Sequence, residues 1–483
     1  MVAEKVEVIS KAYGEEGAFK WSSKGAEGYE ITPCEKEGFG TEITLYIKKD
    51  EGGENYSTYL EEYTLKNLVK KYSDYIRYPI KMDVTSYKEV DGKQQSYTEN
   101  KTLNSMTPIW KKSKSEVKKE EYDEFYMAEF FDGNPPIKSI SMSVEGAVDF
   151  KALLYVPETP PYNYYSKNYE KGLKLYTNGV MIMEKCSDLL PDYFSFVKGI
   201  VDSEITLNIS RETVQQTRQI KAIAQSIEKK IKAELLDLLK NDREAYEKFY
   251  KAFGLQLKFG IYQSFGMSKD LLQDLLLFYS IKQDKLITLK EYVDSASGDI
   301  YYVSGKSISG IKALPQTEKL ISDGKDVLCL VDDVDEFAFK FIGDYDGKKF
   351  INATQEISTE EIELSEDEKA VFEKVKSALD NKVIKVVGAK DLGEHPVCLS
   401  TEGDVSLEME KVLSSQVGGS DIKAQKVLKI NLLHPIVEKL KSLNDDEISD
   451  YAKILYSEAS LIAGLEVENP TEIAEKIINL LCK

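Results

Sequence analysis

The chain has 483 residues, 42% of them hydrophobic, and a formal net charge of −19; the length implies about three domains with apolar residues enough for several cores. No stretch approaches the roughly 18 apolar residues of a membrane span, and MVAEKVEVISK is not a secretory leader, so a soluble, cytoplasmic protein with no membrane partner is expected. The acidic balance argues against nucleic acid as a partner, and the scattered Cys34, Cys186, Cys329, Cys398 and Cys482, with no CxxC pair, argue against a disulfide framework or a metal site.

Apolar residues recur at a period of two from the start: Val6, Val8 and Ile9, then Phe19 and Trp21, Tyr29 and Ile31, and Ile43, Leu45 and Ile47. This pattern predicts four short antiparallel strands. Helical spacing of Leu65, Leu68, Val69, Tyr72 and Ile76 follows, Pro79 forbids continuation, and a strand from Ile80 to Val84 is expected to close the unit. Ser86 to Thr107 is polar with neither period and reads as an interdomain linker. A new domain starts near Pro108. Strand pairs are expected around Glu145-Gly146 and around Asn178-Gly179, the second dipeptide being a strong hairpin signal. From Ser210 to Ile281 helices dominate, with Ile220, Ile223, Ile227, Ile231, Leu235 and Leu238 in one core stripe. Strand and helix alternate from Ile300, the pattern of an α/β unit with parallel pairing. Glu356 to Lys369 is charge-rich and reads as a solvated linker or helix start. Strands are then expected near Val383 to Val387 and Val397 to Ser400, with helices from Ser406 onward. The last two helices, punctuated by Asn469-Pro470, can bury their apolar stripes only against something else, and a four-helix bundle with a partner subunit is one solution.

The segment VDSEITLNISRETVQQTRQIKAI, residues 201–223, resembles the middle-domain signature of the ninety-kilodalton heat-shock chaperones. Pro108-Ile109-Trp110, EEYDEFY, SVEGAVDFKALLYVP, LYTNGVMI, DLLPDYFSFVKGIVDSE and EKFYKAFGLQLKFGI are similar to the same family in the same order. VAEKVEVIS and GFGTEITLYIK upstream, and LKINLLHPIVEKL downstream, extend the resemblance over essentially the whole chain. The terminus LLCK lacks the acidic peptide of eukaryotic cytosolic members, so the bacterial subgroup fits better. The resemblance implies an α+β and α/β multidomain chain: part of a GHKL-type ATPase sandwich in residues 1–85, a linker over 86–107, an α/β/α middle domain over 108–355 and a mixed dimerisation domain over 356–483.

Ser210 suits the N-cap of the helix that follows, which puts Arg211 where the macrodipole is positive and a cation needs an anion nearby. An exposed glutamate is the commoner partner of such an arginine. The resemblance instead implies an arginine finger, with Arg211 on the terminal phosphate of ATP and Gln215 and Asn208 assisting. GFGT, Gly38 to Thr41, matches the family stretch whose threonine lies against adenine, so the resemblance makes Thr41 the expected nucleotide contact; from the residues alone a glycine pair before a strand is more often just a turn. The family's catalytic glutamate, magnesium-holding asparagine, adenine-binding aspartate and glycine-rich lid would all precede Val2. ATP with Mg²⁺ is therefore expected in the complete protein and no cofactor on this chain alone, which leaves its own ATPase activity in doubt.

Val405, Met409, Val412 and Leu413 share one helical face, either core packing or a client surface. Tyr162, Tyr164, Tyr165 and Tyr169 present the same choice. His395 and His434, each before a proline, form no catalytic pattern. The resemblance implies a homodimer, joined through the carboxy-terminal helices, that binds unfolded or partly folded clients. An ATP-independent holdase or dimeric scaffold is the rival that the visible residues also support.

Overall fold

The computed structural model describes residues 2–25, 28–90, 93–113, 115–146, 148–204, 218–355, 362–415 and 422–482. Strands β1 (Ala3–Lys11), β2 (Ala18–Ser23), β3 (Tyr29–Cys34) and β4 (Gly40–Ile47) form the expected antiparallel sheet, in the order β3-β2-β1-β4. Val8 stands opposite both Trp21 and Ile43, Val6 opposite Leu45, and Ile31 opposite Trp21. Because directly opposed residues share a face, these side chains gather on one side of the sheet. That face is largely uncovered, with Phe19, Tyr29, Ile31, Ile43 and Leu45 all exposed.

Helix α1 (Glu62–Ser73) follows, and here the sequence reading needs correction. The strand expected from Ile80 to Val84 does not close the first sheet. It begins β5 (Lys81–Val90), which pairs along its length with β6 (Lys93–Thr102), from Lys81 opposite Thr102 to Val90 opposite Lys93. Most of the stretch read as an irregular linker over 86–107 is thus a long hairpin. Pairing satisfies the backbone of a polar segment without needing an apolar stripe, and Val84 is the one buried side chain among those described in the two strands. The hairpin base is stapled: the Asn104 side chain accepts from the Ile80 N–H at 2.8 Å and donates to the Ile76 and Tyr78 carbonyls at 2.9 Å each.

The middle of the chain holds α2 (Lys119–Phe130), β7 (Lys138–Val144), β8 (Phe150–Val156), β9 (Leu173–Thr177), β10 (Val180–Cys186) and β11 (Lys198–Ser203). These strands form a five-stranded sheet in the order β10-β9-β11-β8-β7. Asn178 and Gly179 join β9 to β10 with φ of 52° and 80°, the left-handed pair of a tight hairpin turn. A Cβ on Gly179 would stand 2.2 Å from the Tyr75 carbonyl oxygen, so glycine is required there twice over. The long helices α3 (Arg218–Asn241) and α4 (Arg243–Gln263) pack on one face, and the whole predicted stripe from Ile220 to Leu238 is buried. Ala152, Leu154 and Val156 of β8 face that core. Leu153 and Tyr155 face the other side, with Trp110, Tyr126 and Tyr176. Burial on both faces explains the continuous apolar run of β8.

Next come α5 (Lys269–Leu272), β12 (Leu277–Ser280), β13 (Lys285–Thr288), α6 (Leu289–Ser295), β14 (Ile300–Ser304), α7 (Ile308–Lys312), α8 (Pro315–Ser322), β15 (Leu328–Leu330), α9 (Asp335–Ile342), β16 (Asp344–Tyr345) and β17 (Lys348–Asn352). The sheet order is β13-β12-β15-β14-β17-β16, with β14 parallel to both β15 and β17 as the alternation predicts.

The last part contains α10 (Glu366–Leu379), β18 (Lys385–Ala389), β19 (Val397–Glu402), α11 (Leu407–Ser414), β20 (Gln425–Asn431), α12 (Ile436–Lys441), α13 (Asp445–Ile462) and α14 (Pro470–Leu481). The charge-rich run ends as a helix start: Ser365 caps α10 and Glu368 closes a capping box. Helices do not run uninterrupted from Ser406, because β20 is the central strand of the sheet β18-β20-β19. Val427, Leu428 and Ile430 are buried there, and so short an apolar run carries no period that separates strand from helix. The whole is a mixed α/β chain of several packed units.

Candidate functional site

Asn208, Arg211 and Gln215 lie outside the described residues. What the structure places is the ground on either side of them. Strand β11 leads in from the interior of the five-stranded sheet, paired with β8 on one side and β9 on the other. At its end the buried Asp202 accepts from the Trp110 indole N–H at 3.1 Å and pairs with Lys111 Nζ at 2.8 Å. The Ser203 hydroxyl donates to the Asp149 carbonyl at 2.8 Å, and Thr177 Oγ1 donates to the Ser203 carbonyl at 3.0 Å. On the far side α3 starts at Arg218 and is buried from Ile220 onward. Both flanks of residues 205–217 are therefore held by sheet pairing, side-chain hydrogen bonds and core packing.

Trp110 also meets Tyr75 edge-on, with ring centroids 4.6 Å apart, and Tyr176 at 5.3 Å. Lys71 of α1 pairs with Glu184 of β10 at 2.9 Å. These contacts dock the end of α1 on the middle sheet, next to the strand that leads to residue 205.

Thr41 stands at the start of β4, exposed, opposite Ser10, and their hydroxyls are 3.0 Å apart. Two residues from Ile43 and four from Leu45, it shares their uncovered apolar face. The turn before it needs glycine: Gly38 and Gly40 have φ of +67° and +118°.

Of the proposed client surfaces, α11 is packed: Met409 is buried, and Val405, Val412 and Leu413 are half-buried. The tyrosine segment is divided. Tyr164 is buried with its hydroxyl 2.8 Å from Ser195 Oγ, and Tyr169 donates to the Ser195 carbonyl at 2.8 Å. Tyr162 and Tyr165 stand exposed. Helix α14 has no buried residue, and its Ile477, Ile478 and Leu481 are exposed. It is held on α13 by ion pairs from Lys476 to Asp450 at 2.6 Å and from Lys453 to Glu472 at 3.2 Å.

Sequence reading missed a buried charge cluster. Lys258 of α4 is buried between Asp332 and Asp335, with N···O distances of 2.7 and 2.6 Å. Burial opposes its charge, but the Tyr250 hydroxyl, Asp335 and Asp332 outweigh that and hold its pKa above the ordinary lysine value. The available signal was a lysine beside Leu257 on an apolar helix face, which demands a counter-ion. Among the described residues no group of three or more His, Cys, Asp or Glu is placed to hold a metal ion, and no described helix is long and apolar enough to cross a membrane.

A family model described as Hsp90 protein matches residues 88–483. The chain belongs to the Hsp90 family. Relatives that bear the name Chaperone protein HtpG are similar over its entire length: 47% identical in Clostridium perfringens strain 13, 50% in Clostridium botulinum strain Langeland and 50% in Alkaliphilus oremlandii. In each case the chain aligns with 80% of the relative. This Hsp90 chain is thus of the bacterial HtpG kind, and β11 and α3, which flank residues 205–217, both lie inside the region that the family model matches.

Proposed function

We propose that the protein is a molecular chaperone of the HtpG kind, in which residues 205–217 couple nucleotide hydrolysis to conformational change. The observation that carries this reading is full-length similarity to proteins named as HtpG chaperones, with the family match spanning residues 88–483. Asn208, Arg211 and Gln215 are assigned to the terminal phosphate of ATP, and Thr41 to the adenine side of the nucleotide. A guanidinium at the transferring phosphoryl group offsets charge that develops in the transition state. Its effect depends on placement, and the fixed flanks at Asp202 and Ile220 suit that requirement. Hydrolysis of this kind acts as a conformational gate, with no chemistry on the client.

The domain division 1–85, 108–355 and 356–483 belongs to the same proposal, with the hairpin β5–β6 standing where a linker was expected. Exposed Tyr162, Tyr165 and the apolar face of the first sheet supply surface for partly folded chains. Helix α14, apolar and unburied on a helix already fixed to α13, supplies the dimer contact.

The test measures suppression of client aggregation by the purified chain with and without ATP, together with ATP turnover. Added to a protein that also carries the family's nucleotide-binding residues, Arg211→Ala is expected to lower turnover by about 100-fold or more, the scale of one lost transition-state donor. Undiminished turnover would reject the finger role. Aggregation suppression that is strong and indifferent to ATP would favour a holdase, the second reading, which the exposed apolar surfaces also support.

A further inference from the structure

The core beneath α3 and α4 and the core around β20 are separate clusters, and a seam between them is stitched by polar contacts. Gln316 of α8 donates to the Leu399 carbonyl at 2.9 Å, and Gln355 donates to the Gly403 carbonyl at 3.2 Å. The Thr401 N–H donates to the Thr354 carbonyl at 3.1 Å, and Lys340 of α9 reaches the Asp404 carbonyl. At the centre is Glu336, in the first turn of α9 and 4% exposed. One of its oxygens accepts from Asn352 Nδ2 at 2.7 Å, and the other accepts from the Ser406 hydroxyl. Ser406, 2% exposed, is the N-cap of α11, and its Oγ also accepts from the Met409 N–H at 3.1 Å. A single hydroxyl therefore caps one helix and binds a carboxylate from another unit.

We propose that Glu336 and Ser406 form a latch that seats α11, and with it the carboxy-terminal unit, on the middle unit. With the latch closed, α11 is capped and its Leu407 and Met409 are buried. When it opens, the first turn of α11 loses its fixed position and those two side chains become accessible. Burial gives the contact its weight, because a buried carboxyl oxygen without its donor is costlier than the same group in water. The latch stands without the chaperone reading. That the exposed face of α11 would then serve clients rests on that reading.

Hydrogen exchange of residues 404–415 in the full chain tests the latch, using substitutions that separate capping from latching. Asp is as good an N-cap as Ser, but Ser406→Asp sets a second carboxylate against Glu336. It is expected to speed exchange across 404–415 about tenfold or more, the scale of a lost charge-assisted hydrogen bond, while α3 and β8 keep their protection. Adding Glu336→Gln, whose amide can donate to the new aspartate, is expected to restore protection. Exchange in Ser406→Asp equal to the unaltered chain would overturn the latch, and so would failure of the double variant to restore it. Loss of protection throughout the carboxy-terminal unit would also count against it, as general unfolding; Ser406→Gly, which keeps most of the capping and removes the hydroxyl, then gives the independent measurement. If exchange behaves as expected but aggregation suppression is unchanged in Ser406→Asp, the latch holds and the client role of α11 fails.

Discussion

Lys258 shows how much one side chain can hold in this molecule. It links α4 to Asp332 in the turn before α9 and to Asp335 at the start of α9, and its ammonium lies over the rings of Tyr250 and Phe278 at 5.8 and 5.0 Å. Removing the lysine leaves Asp335, 1% exposed, without its counter-charge. Lys258→Ala is therefore expected to destabilise the chain by about 3–5 kcal/mol, the usual cost of orphaning one partner of a buried pair. Urea unfolding checks it, and a loss below about 1 kcal/mol would show that water or a rearranged aspartate replaces the lysine. Among single residues, those whose role is local were legible: Asn178-Gly179 announces its turn, and Ser365 with Glu368 announces a helix start. Lys258 and Glu336 were not, because the partner that makes each of them tolerable lies 74 or 70 residues away along the chain.

At the scale of elements, the hairpin β5–β6 and the helix α3 make opposite demands. Helix α3 exists because seven of its side chains are buried, and the periodic stripe reveals it. Among the hairpin's described side chains only Val84 is buried, and no apolar alternation betrays it. Its one legible signal was Asp91-Gly92, a dipeptide suited to a two-residue turn, flanked by strands too polar to stand out. Their stabilities should therefore depend on different parts. Replacing Tyr87 to Ser96 by Asn-Gly keeps the pair Ser86 and Tyr97 in register and is expected to change unfolding free energy by less than about 1 kcal/mol, since the described side chains in that stretch, Tyr87, Gln95 and Ser96, are exposed and such positions contribute little. Asn104→Ala leaves three backbone groups at the hairpin base without partners and is expected to cost about 2–3 kcal/mol. Chemical denaturation of both variants decides the matter; equal losses would place the hairpin's stability in its strands. Strand β20 escaped sequence reading for a related reason, since a short, wholly buried strand shows no period of two.

For the whole molecule, the expected arrangement rests on α14. Its ion pairs to α13, from Lys476 to Asp450 and from Glu472 to Lys453, orient it before any partner arrives, and Ile477, Ile478 and Leu481 remain outside. Deleting Asn469 to Lys483 is expected to halve the mass seen by light scattering, and Ile478→Asp with Leu481→Asp should do the same without shortening the chain. An unchanged mass in both would move the dimer contact elsewhere. The amino-acid sequence by itself determined the family, the first four strands, the long buried helices and the paired terminal helices, because repeating periods and long motifs are local properties of a chain. It placed Arg211, Gln215, Asn208 and Thr41 only through resemblance, and the tertiary structure adds the fixed flanks of the first three and the exposed setting of Thr41. Only the tertiary structure decided that Lys81–Val90 pairs with Lys93–Thr102, that Met409 lies inside, and that Glu336 meets Ser406 across a seam. Each of those outcomes turns on what a polar or mixed side chain meets after the chain has folded back on itself, and spacing along the sequence does not encode that meeting.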